Sequence, residues 1–329
     1  MRKCLIAFFM IVLLSVAVQS EDQENIQLFY PVNTYSIVCY DSATGQFGAA
    51  VQSHWFKVAD VIWAEPDVGV VATQSLADFS YGKLGLEMMK TGKTAQQALD
   101  GLKASDPNSD VRQVAMIDNH GNIATHTGEN CIAMAGHRSG ANYSVQANLM
   151  EKSTVWDAMA EAFENSEGEL ADRMMAALEA AQAEGGDIRG MQSAAMLVVT
   201  GEPTGMPWVD KIVDLRVDDS PEPLKELRRL ININRAYEYM NLGDEYFFKG
   251  EVEKAKEAYS KSAELAPGNP EILFWQAVTM ASAGEEKMAM PIFKQVFEMD
   301  EKWRVLVPRL VDSGLLPDNP GLIERIVGQ

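Results

Sequence analysis

Cysteine is scarce in this chain, at three in 329 residues, and histidine is nearly as rare, at four. So few thiols exclude a disulfide-built scaffold. His120 and His126 stand six apart with no H-E-x-x-H spacing, so no zinc pattern is readable, and no cofactor is expected. Basic residues are also in deficit. Lys and Arg total 28 against 47 Asp and Glu, a formal charge of −19. That balance excludes the basic surface that nucleic acid or an anionic membrane would need. No G-x-S-x-G is present, no S-x-x-K lies in a suitable context, and no glycine-rich phosphate loop follows a strand. Serine-triad chemistry and nucleotide binding therefore have no support.

Long apolar runs are confined to the N-terminus. Arg2 and Lys3 precede "CLIAFFMIVLLSVAV", and the small residues Val18 and Ser20 suit cleavage before Glu21. Residues 1–20 read as a signal peptide, followed by an extension over 21–33, and the product is expected to be periplasmic or secreted. Without Cys4, the mature chain holds Cys39 and Cys131, either as two buried thiols or as a bridge allowed by an oxidising compartment.

From residue 34 the pattern is strand-like. "TYSIVCYD" and "QFGAAVQS" alternate around "SATG", which predicts a hairpin, and "VGVVATQS" suits a buried strand. Helices are predicted in "YGKLGLEMMKTG" and in "TAQQALDGLKASD", the latter capped by Thr94. A second hairpin is expected around "NHGN", and another strand in "YSVQANLM". Two helices follow, the first capped by Ser153 or Thr154, then two strands around "GEPTGMP". Strands linked by hairpins with helices in separate blocks predict an α+β layered sandwich over residues 34–220 rather than a doubly wound sheet.

Residues 221–329 read as helix only. "AYEYMNLGDEYFFKGEVEKAKEAYSKSAELAPGN", from Ala236 to Asn269, resembles a tetratricopeptide repeat. Tyr239, Leu242, Gly243, Tyr246, Ala255, Tyr259 and Pro267 stand where its 34-residue pattern wants them. A weaker copy pairs Gly250 with Gly284, Ala255 with Ala289 and Tyr259 with Phe293. Two helix hairpins are expected to lean on the sandwich through a helix from Pro223 to Phe247. They would serve as a packing appendage or as a groove for a protein partner.

Thr34 is the candidate for chemistry. An N-terminal threonine acts with its own α-amine as general base, but only once proteolysis has freed that amine. Gln52, Gln74, Gln146 and Asn148 lie near strand ends and are candidate oxyanion donors. Ser53 and His54 end the second strand in a polar tip and are candidate substrate-binding residues.

The segments "TYSIVCYDSATGQFGAAVQSHWF", "GVGVVATQSLADFSYGKLGLEMM", "DVRQVAMIDNHGNIATHTGENCIAMAGHRSG", "YSVQANLM" and "GGDIRGMQSAAMLVV" resemble the domain-of-unknown-function 1028 family over roughly residues 34 to 216. The resemblance implies an N-terminal-nucleophile (Ntn) hydrolase-like, four-layer αββα sandwich, here followed by the helical tail. It further implies Thr34 as nucleophile and base, with Asn148, Asp187 and Arg189 beside it and Gln74 and Gln192 in the substrate pocket. Because residues 21–33 precede Thr34, a second cut after Asn33 is required. The leading expectation is a hydrolase of an amide or related acyl bond in a small-molecule or peptide-like substrate. The alternative is a non-catalytic ligand-binding relative whose repeats hold a protein. Asp187 and Arg189 have a second reading of their own, an ion pair that fixes the turn into the next strand. The substrate and any homo-oligomeric state stay open.

Overall fold

The computed structural model describes residues 30–329; the expected signal segment and residues 21–29 lie outside the described residues. The N-terminal α+β region runs β1 (Tyr30–Val32), β2 (Thr34–Tyr40), β3 (Phe47–Ser53), β4 (Ile62–Glu65), β5 (Gly69–Ala77), α1 (Ser80–Lys90), α2 (Ala95–Ser105), β6 (Arg112–Asp118), β7 (Ile123–Thr127), β8 (Gly136–Gly140), β9 (Tyr143–Ala147), α3 (Val155–Asn165), α4 (Leu170–Ala183), β10 (Ser193–Val199) and β11 (Lys211–Val217). Every strand pairing is antiparallel. One sheet has the order β1-β5-β6-β7, with β4 also on β5; the other has the order β11-β10-β3-β2-β9-β8.

Alternation decides which residues meet. Along β2, Tyr35, Ile37 and Cys39 face α3 and α4 in one apolar cluster. Val38, with Ala49 and Val51 of β3, faces the other sheet and meets Val70, Ala72, Ala115 and Ile117. The opposite face of that other sheet, through Val71, Val114 and Met116, carries Leu86 and Met89 of α1 and Leu99 and Leu102 of α2. Both sheets are therefore apolar on both faces, as strands buried on two sides must be.

Local signals account for most boundaries. Thr94 and Gln97 form a reciprocal capping box that satisfies two free amides at the start of α2. The first hairpin turns at Gly45, whose φ of +76° sits in the left-handed region open to glycine. Thr154 does occupy the N-cap position of α3, but its hydroxyl donates to Glu184 Oε2 at 2.6 Å instead of accepting from the helix. The strands β1, β4 and β8 carry no clear sequence signal. β8, "GHRSG", has two glycines and no alternating apolar residues; it forms because the edge of β9 offers it a ladder.

The C-terminal module is all helix: α5 (Pro223–Phe248), α6 (Val252–Leu265), α7 (Pro270–Ser282), α8 (Glu286–Met299), α9 (Lys302–Leu306), α10 (Arg309–Asp312) and α11 (Pro320–Val327). The first half of α5 belongs to the α+β region, where Leu224, Leu227 and Ile231 join the cluster beneath α3 and α4. Arg228 and Arg235 reach Asp172, Glu179 and Glu169 across the same seam. Burial of the three aliphatic side chains is worth ~1.5–3 kcal/mol each, more than the partly exposed ion pairs contribute. The second half of α5 packs on α6 at Gly243, where an added Cβ would stand 2.5 Å from the Tyr259 ring. Both ends of α8 follow those of α6 by 34 residues, and Gly250 and Gly284 turn with matching positive φ.

Among the described residues, no helix is long and apolar enough to cross a membrane.

Candidate functional site

One end of the space between the sheets is polar. At the inward-facing positions, Val38 gives way along β2 to Ser36 and Thr34, and Ala72 along β5 gives way to Gln74. Along β6, Ala115 gives way to Gln113. The ladder sets Thr34 opposite Ser53, Ser36 opposite Gln146, and Gln74 opposite Gln113. All of these side chains are buried, as is Asn148 just beyond β9.

Asn33 is the hinge of the arrangement. β1 pairs with β5 in one sheet and β2 with β3 and β9 in the other, so the chain passes between sheets in a single residue. The carbonyl of the Asn33–Thr34 peptide bond accepts from Ser53 Oγ at 2.6 Å and from Arg189 Nη2 at 2.8 Å. Arg189 is fixed in turn by Asp187, whose carboxylate takes Nε at 3.0 Å, Nη2 at 2.7 Å and the Arg189 backbone N–H at 2.9 Å. The pair thus fixes the turn and also aims a charged donor at Asn33. Charge-assisted bonds of this kind are roughly twice as strong as neutral ones. Thr34 itself is 0% exposed, and its hydroxyl donates to Val32 O at 2.9 Å.

Behind it lies a chain of amides. The Thr34 carbonyl accepts from Asn148 N at 3.1 Å and from Gln74 Nε2 at 3.0 Å. Gln113 Oε1 accepts from both Gln74 Nε2 (2.7 Å) and Asn148 Nδ2 (2.9 Å). Ser36 Oγ donates to Gln74 Oε1 at 2.6 Å. On the far side, Gln113 Nε2 meets Thr127 Oγ1 at 2.9 Å, and that hydroxyl meets His137 Nδ1 at 2.8 Å. Partial desolvation, and next the neighbouring His126 ring, lower the His137 pKa from the ordinary imidazole value. Satisfaction is incomplete. Among the described residues, Asn33 Oδ1, Asn148 Oδ1 and Gln146 Oε1 are buried with no donor, a state seldom left without a reason.

The other candidates fall elsewhere. His54 and Gln192 line a neighbouring open pocket of about 470 Å3, together with Tyr30, Phe56 and Phe79. His54 is exposed, and its backbone N–H reaches Asp187 Oδ2 at 3.4 Å; Gln192 Nε2 donates to Asp219. Tyr30 belongs to β1, so the strand whose Val32 carbonyl holds the Thr34 hydroxyl is also a wall of this pocket. Gln52 is not a donor to Thr34. It stands opposite Tyr35, one step out of parity, and faces away from Thr34. On that side, burial first and the Asp187 charge second push the Tyr35 phenol well above its usual value.

Cys39 and Cys131 are free thiols, the first buried beneath α3 and α4. Among the described residues, no three His, Cys, Asp or Glu side chains are grouped to hold a metal ion.

Five participants are not named as site residues from the sequence: Asn33, Ser36, Gln113, Thr127 and His137. For Gln113 a signal exists, since "RQVAMID" puts one amide at the inward parity of an otherwise apolar strand.

Comparison with known proteins adds the following. The Family of unknown function (DUF1028) matches residues 34–227, and the Tetratricopeptide repeat matches residues 236–269. Among solved structures, the chain is similar to protein SPO2555 from Silicibacter pomeroyi, a crystal structure assigned to DUF1028. The two are 30% identical, with a TM-score of 0.55, over 60% of this chain and 84% of that one. No curated protein matches.

Proposed function

The chain belongs to the family of unknown function DUF1028, and from that premise we propose that it is an exported Ntn-type hydrolase whose nucleophile is Thr34. On this reading the two sheets and their helix pairs, residues 34–220, are the four-layer αββα sandwich of that class. Residues 221–329 are a helical appendage that holds a protein partner. The substrate carries an amide or related acyl bond and is a small molecule or a peptide-like chain. Export follows from the signal-like residues 1–20.

The observation that carries the reading is the pair of donors on the Asn33 carbonyl. Ser53 Oγ and Arg189 Nη2 polarise that carbonyl at the peptide bond whose cleavage would free the Thr34 amine. The chain's own hydroxyl is the nearest candidate to cut it. Thr34 Oγ1 would add to the Asn33 carbonyl carbon, the C–N bond would break, and the nitrogen would leave with the hydroxyl proton. Water would then hydrolyse the ester, leaving an Asn33 carboxylate and a free α-amine.

Departure of residues 30–33 would release the Thr34 hydroxyl from Val32 O, empty the two donors, and remove Tyr30 from the neighbouring pocket wall. A substrate carbonyl entering there would meet the same donors. Each is worth ~3 kcal/mol of transition-state stabilisation in a dry site. The freed amine would take the hydroxyl proton during attack. Asn148 Oδ1, which lacks a donor, is an acceptor of the kind an ammonium needs.

The complete burial of Thr34, with its hydroxyl held by Val32 O, favours the second reading, a ligand-binding relative, for any chain that is never cut. Intact mass of the mature protein separates them. A chain beginning at Thr34 in the wild type, and beginning near Glu21 in Thr34→Ala and Arg189→Met, is the expected result. A wild-type chain that keeps residues 21–33 while hydrolysing an acyl-amide panel would overturn the nucleophile assignment.

A further inference from the structure

The segment that a cut before Thr34 would release is itself held as an extended peptide, and its surroundings describe what could replace it. β1 lies on the edge of β5 opposite β6, with Tyr30 paired to Ala77, Pro31 to Leu76 and Val32 to Ser75. β4 covers that same edge only from Gly69 to Ala72. Without β1, the stretch from Ser75 to Ala77 would be an unpaired edge, a template for another extended chain. Pro31 has no N–H and stands at the middle pair, so the ladder hydrogen bonds fall to Tyr30 and Val32. Ser75, opposite Val32, has a φ of +73°, and backbone strain of this kind collects at ligand clamps.

Each side chain of the segment meets a different environment. Tyr30 stacks on Phe79 with 4.9 Å between ring centroids, and both rings line the open pocket of about 470 Å3. The charges lining that pocket, Lys57 and Asp60, pair with each other at 3.3 Å, so an uncharged ring suits it. Pro31 is exposed. Val32 is 0% exposed and belongs to the apolar cluster of Val51, Val58 and Ala77. Asn33 is buried, with its carbonyl on Ser53 and Arg189 and its Oδ1 without a donor among the described residues.

We propose that the substrate is a peptide whose acyl side takes the place of residues 30–33. It lies extended on the β5 edge with its scissile carbonyl on Ser53 and Arg189. An aliphatic side chain sits one residue earlier, and an aromatic one stacks on Phe79 three residues earlier. The proposal rests on the hydrolase reading and narrows its substrate from any acyl amide to a peptide. Thr34 Oγ1 adds to the substrate carbonyl carbon, the C–N bond breaks, and the amine leaves with the hydroxyl proton, passed through the Thr34 α-amine. Water then hydrolyses the ester, which yields a carboxylate and restores Thr34.

The test uses the full chain as expressed, its start read by intact mass, and three aminomethylcoumarin anilides. Their acyl groups are acetyl-Tyr-Pro-Val-Asn, acetyl-Ala-Pro-Val-Asn and acetyl-Asn. Replacing the tyrosine should lower kcat/KM about tenfold, the scale of a lost ring pair and its buried area. Truncation to acetyl-Asn should lower it about a hundredfold, because remote contacts supply binding energy to the reacting bond. N-methylation of the valine nitrogen removes a ladder donor and should cost about tenfold. Phe79→Ala should bring the ratio of the first two substrates within twofold, and Phe79→Tyr should restore it. Thermal unfolding of both variants keeps a change in preference from being a loss of fold. A chain that starts at Thr34 but cleaves acetyl-Asn as well as the tetrapeptide, or cleaves none of the three, overturns the proposal and leaves the nucleophile assignment to the wider panel. A tyrosine or N-methyl effect below twofold does the same. A chain that keeps residues 21–33 overturns the proposal together with the hydrolase reading.

Discussion

Between the two sheets, one end of the interior is filled by Val38, Ala49, Val51, Val70, Ala72, Ala115 and Ile117, and the other by Ser36, Gln74, Gln113, Gln146 and Asn148. Four strands, β2, β5, β6 and β9, run into the polar end with the same alternation that serves the apolar one. The difference between the ends lies in side-chain chemistry alone. Dispersion and water exclusion hold the apolar end, and they tolerate volume-conserving change. The polar end depends on each amide meeting a partner, because an unmet buried polar group is penalised heavily in a low dielectric. A chain shaped for stability alone has no use for the second kind of interior, and on the proposed reading that interior holds the site.

Removing Gln113 should break the polar end most severely. Gln113→Leu strips partners from Gln74, Asn148 and Thr127 at once, and a loss of ~3–5 kcal/mol is expected from the orphaned groups. Urea unfolding measures it; a loss under ~1 kcal/mol would mean that water replaces the amide freely. At the apolar end, Ile117→Ala should lose ~2–4 kcal/mol through a cavity while leaving cleavage at Thr34 intact. Altered processing in that variant would show that the two ends are not separable.

Ser36→Ala is a milder probe. It removes the 2.6 Å bond to Gln74 Oε1 and an acceptor for Gln146, and ~1–2 kcal/mol is the expected loss. The smallest effect concerns His137, at the surface end of the network. Its folded pKa lies below the unfolded imidazole value, so the unfolded chain binds more protons in that window. Its contribution is therefore complete above the unfolded pKa and is lost as pH falls through the folded one. Stability measured from pH 7.5 to 5 should slope downward, and His137→Asn should flatten the slope. An unchanged slope would remove His137 from the network's accounting.

The apolar half of this comparison is legible in the sequence, because "TYSIVCYD" and "QFGAAVQS" alternate plainly, and so is the N-cap at Thr94. The 34-residue register of the helical module is equally plain through Gly250, Tyr259 and their copies Gly284 and Phe293. The polar half is only partly legible. Thr34, Gln74 and Asn148 are visible as polar residues at strand ends, but Gln52 is equally polar and faces the other way. One step of parity separates it from Ser53, and parity shows only when the register is known. Asn33 escapes for a different reason. Its role belongs to its carbonyl oxygen, which every residue carries, so no side-chain pattern can announce it.

The two donors on that carbonyl come from distant parts of the chain. Ser53 closes the first hairpin, 20 residues from Asn33, but Arg189 is 156 residues downstream of Asn33, in the turn that precedes β10. During synthesis the first hairpin can form long before Arg189 leaves the ribosome. The polarised carbonyl exists only after β10 has docked beside β3. Any reaction at the Asn33–Thr34 bond that depends on it is thus timed by completion of the whole layered region. The state of that one bond would serve as a record of whether the molecule has finished folding.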